Sequence, residues 1–130
     1  MPTIDRIIPL LVYEDIPAAH DFLVEAFAFT SGGIHRNAEG QAVHAEVRAG
    51  DLEIWLHRVA ADLKLASPRA MPAASSGLAV HVGDVDAHYE HARAHGARVE
   101  SEPQNMPYGL REYGASDPEG HRWWFATPLK

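Results

Sequence analysis

The chain has 130 residues, 46% of them apolar and 22% charged, an ordinary globular composition. It contains no cysteine, which excludes disulfides, thiolate nucleophiles and cysteine-ligated zinc and fits a reducing compartment. A formal net charge of −7 argues against sequence-independent nucleic-acid binding, no apolar run reaches membrane-span length, and no basic stretch leads an apolar one at the start. The expectation is a cytoplasmic protein with neither nucleic acid nor membrane as partner.

Ile4 to Tyr13 is a near-continuous apolar run broken by Asp5, Arg6 and Pro9, the pattern of a strand, with Pro9 pushing it toward an edge. Asp15-Ile16-Pro17 then announces a helix, in which Ala19, Phe22, Leu23, Ala26 and Phe27 form one apolar stripe. Thr30-Ser-Gly-Gly33 reads as its stop and Ile34 to Arg36 as a short strand. Asn37-Ala-Glu-Gly40 is a turn, Gln41 to Arg48 alternates as a strand, and Ala49-Gly50-Asp51 turns the chain into Leu52 to His57. Residues 61–76 hold two prolines and no period, which predicts a mobile linker. Leu78 to Val82 reads as a strand, Asp84 opens a helix to about His95, and Gly96 stops it. Ala97 to Glu100 is a short strand and Pro103 to Pro107 a loop. Last come a strand, the Asp117-Pro118-Glu119-Gly120 turn, and a strand with Trp123 and Trp124 on opposite faces.

The element order repeats. One constant shift brings Asp15-Ile16 onto Asp84-Val85 and Trp55 onto Trp124. The prediction is an α+β fold of one domain over 1–130: a βαβββ unit over 1–60, the linker, and a second βαβββ unit over 77–130, their curved sheets enclosing a cleft. The segments Val12 to Ala19 with Phe22, Val82 to Asp86, Pro107 to Arg111 and Asp117 to Trp124 resemble the vicinal oxygen chelate superfamily of glyoxalase I, extradiol dioxygenases, and fosfomycin and bleomycin resistance proteins. These motifs specify a fold better than a reaction.

The resemblance implies metal ligands on the first and last strands of each unit. The matching positions are Ile8, Trp55, Gly77 and Trp124, none of which can ligate a divalent cation. No metal and no other cofactor is therefore expected. The missing ligands place the chain nearest the metal-free bleomycin-resistance-like branch, which implies a homodimer. The cleft becomes aromatic, with Trp55 and Trp124 as stacking surfaces or as core plugs. Arg111 can supply a cation, and Tyr108, His44, Glu46, His57 and His81 hydrogen bonds.

His88, His91 and His95 share a helix face but flank the stripe of Val85, Tyr89 and Ala92, and read as surface residues. No nucleophile elbow, phosphate loop or dinucleotide fingerprint occurs. Three functions remain open: metal-free binding of a small planar or amphipathic molecule; a metal-dependent lyase, isomerase or dioxygenase using displaced ligands from His44, Glu46, His57 and His81; or a non-catalytic subunit or regulator.

Overall fold

The computed structural model describes residues 2–130. Asp15 and Asp84 each accept a hydrogen bond from the backbone N–H three residues on, Ala18 and Ala87, both at 3.1 Å. They are the N-caps of helices α1 (Ile16–Glu25) and α2 (Val85–Ala94). With α1 go strands β1 (Leu10–Tyr13), β2 (Thr30–Arg36), β3 (Ala42–Ala49) and β4 (Leu52–Arg58), in the sheet order β1-β4-β3-β2. With α2 go β5 (Gly77–His81), β6 (Arg98–Val99), β7 (Gln104–Asn105), β8 (Leu110–Ser116) and β9 (Arg122–Pro128), in the order β5-β9-β8-β6 with β7 also on β8. In each half the first strand lies parallel to the last, β1 on β4 and β5 on β9. This is the expected α+β duplication.

The helix-facing sides of the two sheets share one core. Phe27 and Phe29, which follow α1, meet Trp123 of β9 at ring-centroid distances of 5.4 and 5.6 Å, and Phe27 meets Phe125 at 4.8 Å. Trp123 is fully buried whereas Trp124 is 37% exposed, so adjacent residues do face opposite sides.

Polar groups then stitch the halves together. The buried Asp117 carboxylate accepts from the Tyr13 hydroxyl at 2.6 Å and from Trp123 Nε1 at 3.2 Å. The buried Glu119 carboxylate accepts the backbone N–H groups of Glu14 and Asp15 at 2.7 and 2.9 Å. Across the helices, His88 donates from Nε2 to the carbonyl of Phe27 at 2.8 Å and accepts the Tyr113 hydroxyl on Nδ1 at 2.7 Å. His91 donates to the carbonyl of Glu25. The second helix therefore satisfies carbonyls that the end of the first leaves open.

Several expectations are corrected. The first strand begins only at Leu10, because Pro9 has no N–H for the ladder; its carbonyl alone joins, accepting from the Trp55 N–H at 2.9 Å. Ile4 and Ile7 are left 84% and 85% exposed. Thr30 to Gly33 does not stop a helix but opens β2. α1 ends earlier, where Ala28 takes a left-handed φ of 69° and the Phe29 N–H returns to the Leu23 carbonyl at 3.1 Å. The segment between the repeats carries two 3₁₀ turns, Ala61–Leu63 and Pro68–Ala70. Its midpoint is held by the fully buried Ser67, whose hydroxyl donates to Glu119. His88 is not a free surface histidine: both ring nitrogens are used and burial lowers its pKa. The loop at 103–107 contains β7.

Candidate functional site

Each sheet turns one side to the core and leaves the other open. On the first, cross-strand pairing puts His44 beside His57 and Glu46 beside Trp55, with His35 beside His44 on the next strand. These five side chains share the open face. Trp55 is half-buried; its Nε1 donates to Glu53 at 2.9 Å and the His44 ring stands edge-on at 5.5 Å. The Trp55 hydrogen bond, helped by Arg6, holds the Glu53 carboxyl below its usual range. Partial burial lowers the pKa of His44, and the neighbouring His35 and His57 act in the same direction. Glu46 lies over Gly32, where a Cβ would meet its Cγ at 2.3 Å, and accepts from Arg48 at 3.1 Å.

The second open face is built around Trp124. A Cβ on Gly77 of β5 would stand 2.4 Å from its Cζ3, and one on Gly114 of β8 would stand 3.2 Å from its Nε1. Two bare glycines on the flanking strands thus let the indole lie across the sheet. The guanidinium of Arg122 stands 5.3 Å from the ring centroid. His81 shares this face, paired with Ala126 on β9, as does Glu112, which accepts from Tyr108.

The sequence-predicted residues therefore fall into two groups, His44, Glu46, Trp55 and His57 on one sheet and His81 and Trp124 on the other, with Tyr108 in the turn ahead of β8 reaching the second through Glu112. Arg111 joins neither. It pairs with Thr127, out of phase with Trp124, and its guanidinium is engaged by Asp86 of α2 at 2.9 Å and by Asn105 at 3.1 Å. Asp86 holds the Arg111 pKa above its ordinary value. The nearby cation on the Trp124 face is Arg122, two residues upstream of Trp124 on the same strand. That spacing gives it the same parity, a signal present in the sequence. The flooring glycines carried one too, since Gly77 stood at a strand start where a side chain was expected.

A metal does not fit the positions at which the resemblance implied ligands. Trp55 and Trp124 offer indole N–H groups, which donate and have no lone pair to give, and Gly77 has no side chain. Among the described residues no group of three or more His, Cys, Asp or Glu side chains converges to hold a metal ion. Also among them, no helix is long and apolar enough to cross a membrane.

Comparison with known proteins agrees with this architecture. TioX from Micromonospora sp. ML1 is 30% identical, superposes with a TM-score of 0.78, and the match covers 96% of this chain and 99% of that one. A glyoxalase-related enzyme from Clostridium phytofermentans, 14% identical with a TM-score of 0.76 over 98% of both chains, shares the fold. The uncharacterized protein Rv0887c of Mycobacterium tuberculosis (strain ATCC 25618 / H37Rv) is 28% identical over 125 residues, 94% of this chain and 74% of its own length. The model of the Glyoxalase/Bleomycin resistance protein/Dioxygenase superfamily matches residues 3–125. With paired caps, paired sheets and a match over nearly its whole length, the chain belongs to that superfamily.

Proposed function

We propose that the protein binds a small planar or amphipathic organic molecule without a metal, using the Trp124 face as its stacking surface. The observation that carries this reading is the indole itself: large, 37% exposed, and lying over Gly77 and Gly114. A side chain serving only as core would be covered; this one presents area to solvent at the centre of a sheet. A ring stacked on it gains about 0.5–1.5 kcal/mol beyond area burial. Trp55, His44 and His57 form a second aromatic surface on the other sheet. We propose further that a homodimer completes the site, setting the Trp55 face of one copy opposite the Trp124 face of the other. Each tryptophan's contacts lie within its own sheet, which leaves both faces open to such pairing.

Tryptophan fluorescence tests the binding reading. Titration with planar aromatic compounds should quench part of the emission, and Trp124→Leu should remove the quenched part. No quenching by any compound, with Trp55 and Trp124 shielded from acrylamide, would count for a structural plug instead. A metal-dependent lyase, isomerase or dioxygenase built on His44, Glu46, His57 and His81 has less support, because His81 stands on the other sheet from the rest. Near-stoichiometric metal in protein purified without additions, lost in His57→Ala or His81→Ala, would restore that reading and sink the metal-free one.

A further inference from the structure

One row of side chains on the Trp124 side crosses three strands. Arg98 of β6 pairs with Ser116 of β8, and Ser116 pairs with Arg122 of β9. All three share the open face with Trp124, one step nearer the β8–β9 turn. The 3₁₀ turn Pro68–Ala70 lies across from this row and brings Arg69. Between them is a cavity of about 450 Å³ whose wall includes Arg69, Arg98, Ser116, Glu119 and Arg122. In a chain of net charge −7, three guanidinium groups around one cavity run against the overall balance.

The state of the neighbouring acids decides what this cavity can hold. Glu119 is buried, and its carboxylate is already used by the N–H groups of Glu14 and Asp15 and by the Ser67 hydroxyl. Glu100, which is not part of the wall, reaches Arg122 at 3.2 Å and Ser116 Oγ at 3.3 Å. Arg69 meets Glu14 only at 3.5 Å. The Nε of Arg122 is buried without a hydrogen-bond partner, so one donor of this guanidinium is unused. The cavity wall therefore offers more donors than its own acceptors use.

We propose that this cavity is an anion subsite, and that the ligand is a planar acid, bearing a carboxylate, sulfate or phosphate group, rather than a cation. The anion subsite stands on the arginine row; the planar part rests on the proposed stacking at Trp124. Arg122 links the two, since its guanidinium stands 5.3 Å from the indole centroid while its Nε lacks a partner. A guanidinium fork matches the geometry of a carboxylate or phosphate, which suits two arginines flanking a serine hydroxyl.

Fluorescence titrations with 2-naphthoate, 2-naphthol and 2-naphthylmethylamine test this, alongside phosphorus NMR of added inorganic phosphate. Arg98→Gln and Arg122→Gln are the variants, each checked for folding by circular dichroism; Arg98 is exposed, so its replacement leaves the fold intact. Naphthoate should bind at least about tenfold more tightly than naphthol, each variant should weaken naphthoate by about tenfold, and Arg98→Gln, which does not touch the indole, should leave naphthol unchanged. Phosphate should compete with naphthoate. If naphthol and the amine bind as well as naphthoate and neither variant matters, the anion subsite is overturned while the stacking surface stands. If phosphate binds in an arginine-dependent way and no naphthalene does, the subsite is upheld and the stacking reading falls. Binding of neither phosphate nor naphthoate overturns the subsite.

Discussion

Gly77 has no side chain, and that is its contribution. A methyl group there would sit 2.4 Å from the Trp124 ring and 3.1 Å from the Arg122 carbonyl. The ring can move and the backbone cannot, so Gly77→Ala should lift the indole off the sheet. The expected result is a red-shifted emission and weaker ligand quenching, with a stability loss of about 1–3 kcal/mol in urea unfolding. Unchanged emission and binding would show that the indole does not depend on its glycine floor. Asp117 is the opposite case, a charge buried because it is fully used. It accepts from Tyr13, Trp123 and the backbone N–H groups of Glu119 and His121. Asp117→Ala strands these donors, and denaturant unfolding should report a loss of about 3 kcal/mol or more.

At the scale of elements, α1 ends on an exposed alanine in a conformation that glycine adopts freely. Ala28→Gly should therefore stabilise the protein by about 1 kcal/mol, read as a shifted urea midpoint with unchanged slope. The contact between α1 and α2 should respond to pH. Burial lowers the His88 pKa, with a smaller contribution from His91, so the folded state prefers the neutral ring that accepts from Tyr113. This stability is present above the unfolded histidine value of about 6.5 and is lost as pH falls below it. Stability should fall from pH 7 to pH 5, and His88→Gln should flatten that dependence; equal slopes would remove His88 from it. The same two elements show what was legible in the sequence. The Asp15 and Asp84 caps, the α1 stripe and the strand parity at Trp123 and Trp124 are local signals, and they place both repeats. The α1 stop was not readable, because Ala28 does what a glycine was expected to do at Gly32 and Gly33. Those glycines instead lie within β2, where Gly32 makes room for Glu46, a cross-strand fact no local pattern carries. Asp117 and Glu119 read as turn residues because their partners, Tyr13, Glu14 and Asp15, lie at the other end of the chain.

For the whole molecule, the proposed homodimer has a direct check. Light scattering should give twice the monomer mass at micromolar concentration, and Leu10→Lys, at a residue 40% exposed and paired with Trp55 on the proposed contact face, should shift the equilibrium toward monomer. A stable monomer of the parent protein would overturn it. Within one copy the halves are tied together, in part by the Asp117–Glu119 turn. It binds the backbone N–H groups just ahead of α1 and anchors Tyr13, across sequence separations of 104 and 105 residues. During synthesis the first repeat emerges long before that turn exists, with the Glu14 and Asp15 N–H groups just ahead of α1 and the Tyr13 hydroxyl unmatched and Phe27 lacking Trp123 and Phe125. Domains commonly fold in the order in which they are made. Here the last hairpin secures the segment that leads into the first helix, so a chain stalled short of residue 117 carries an unfinished first repeat, exposed to proteases and to its neighbours.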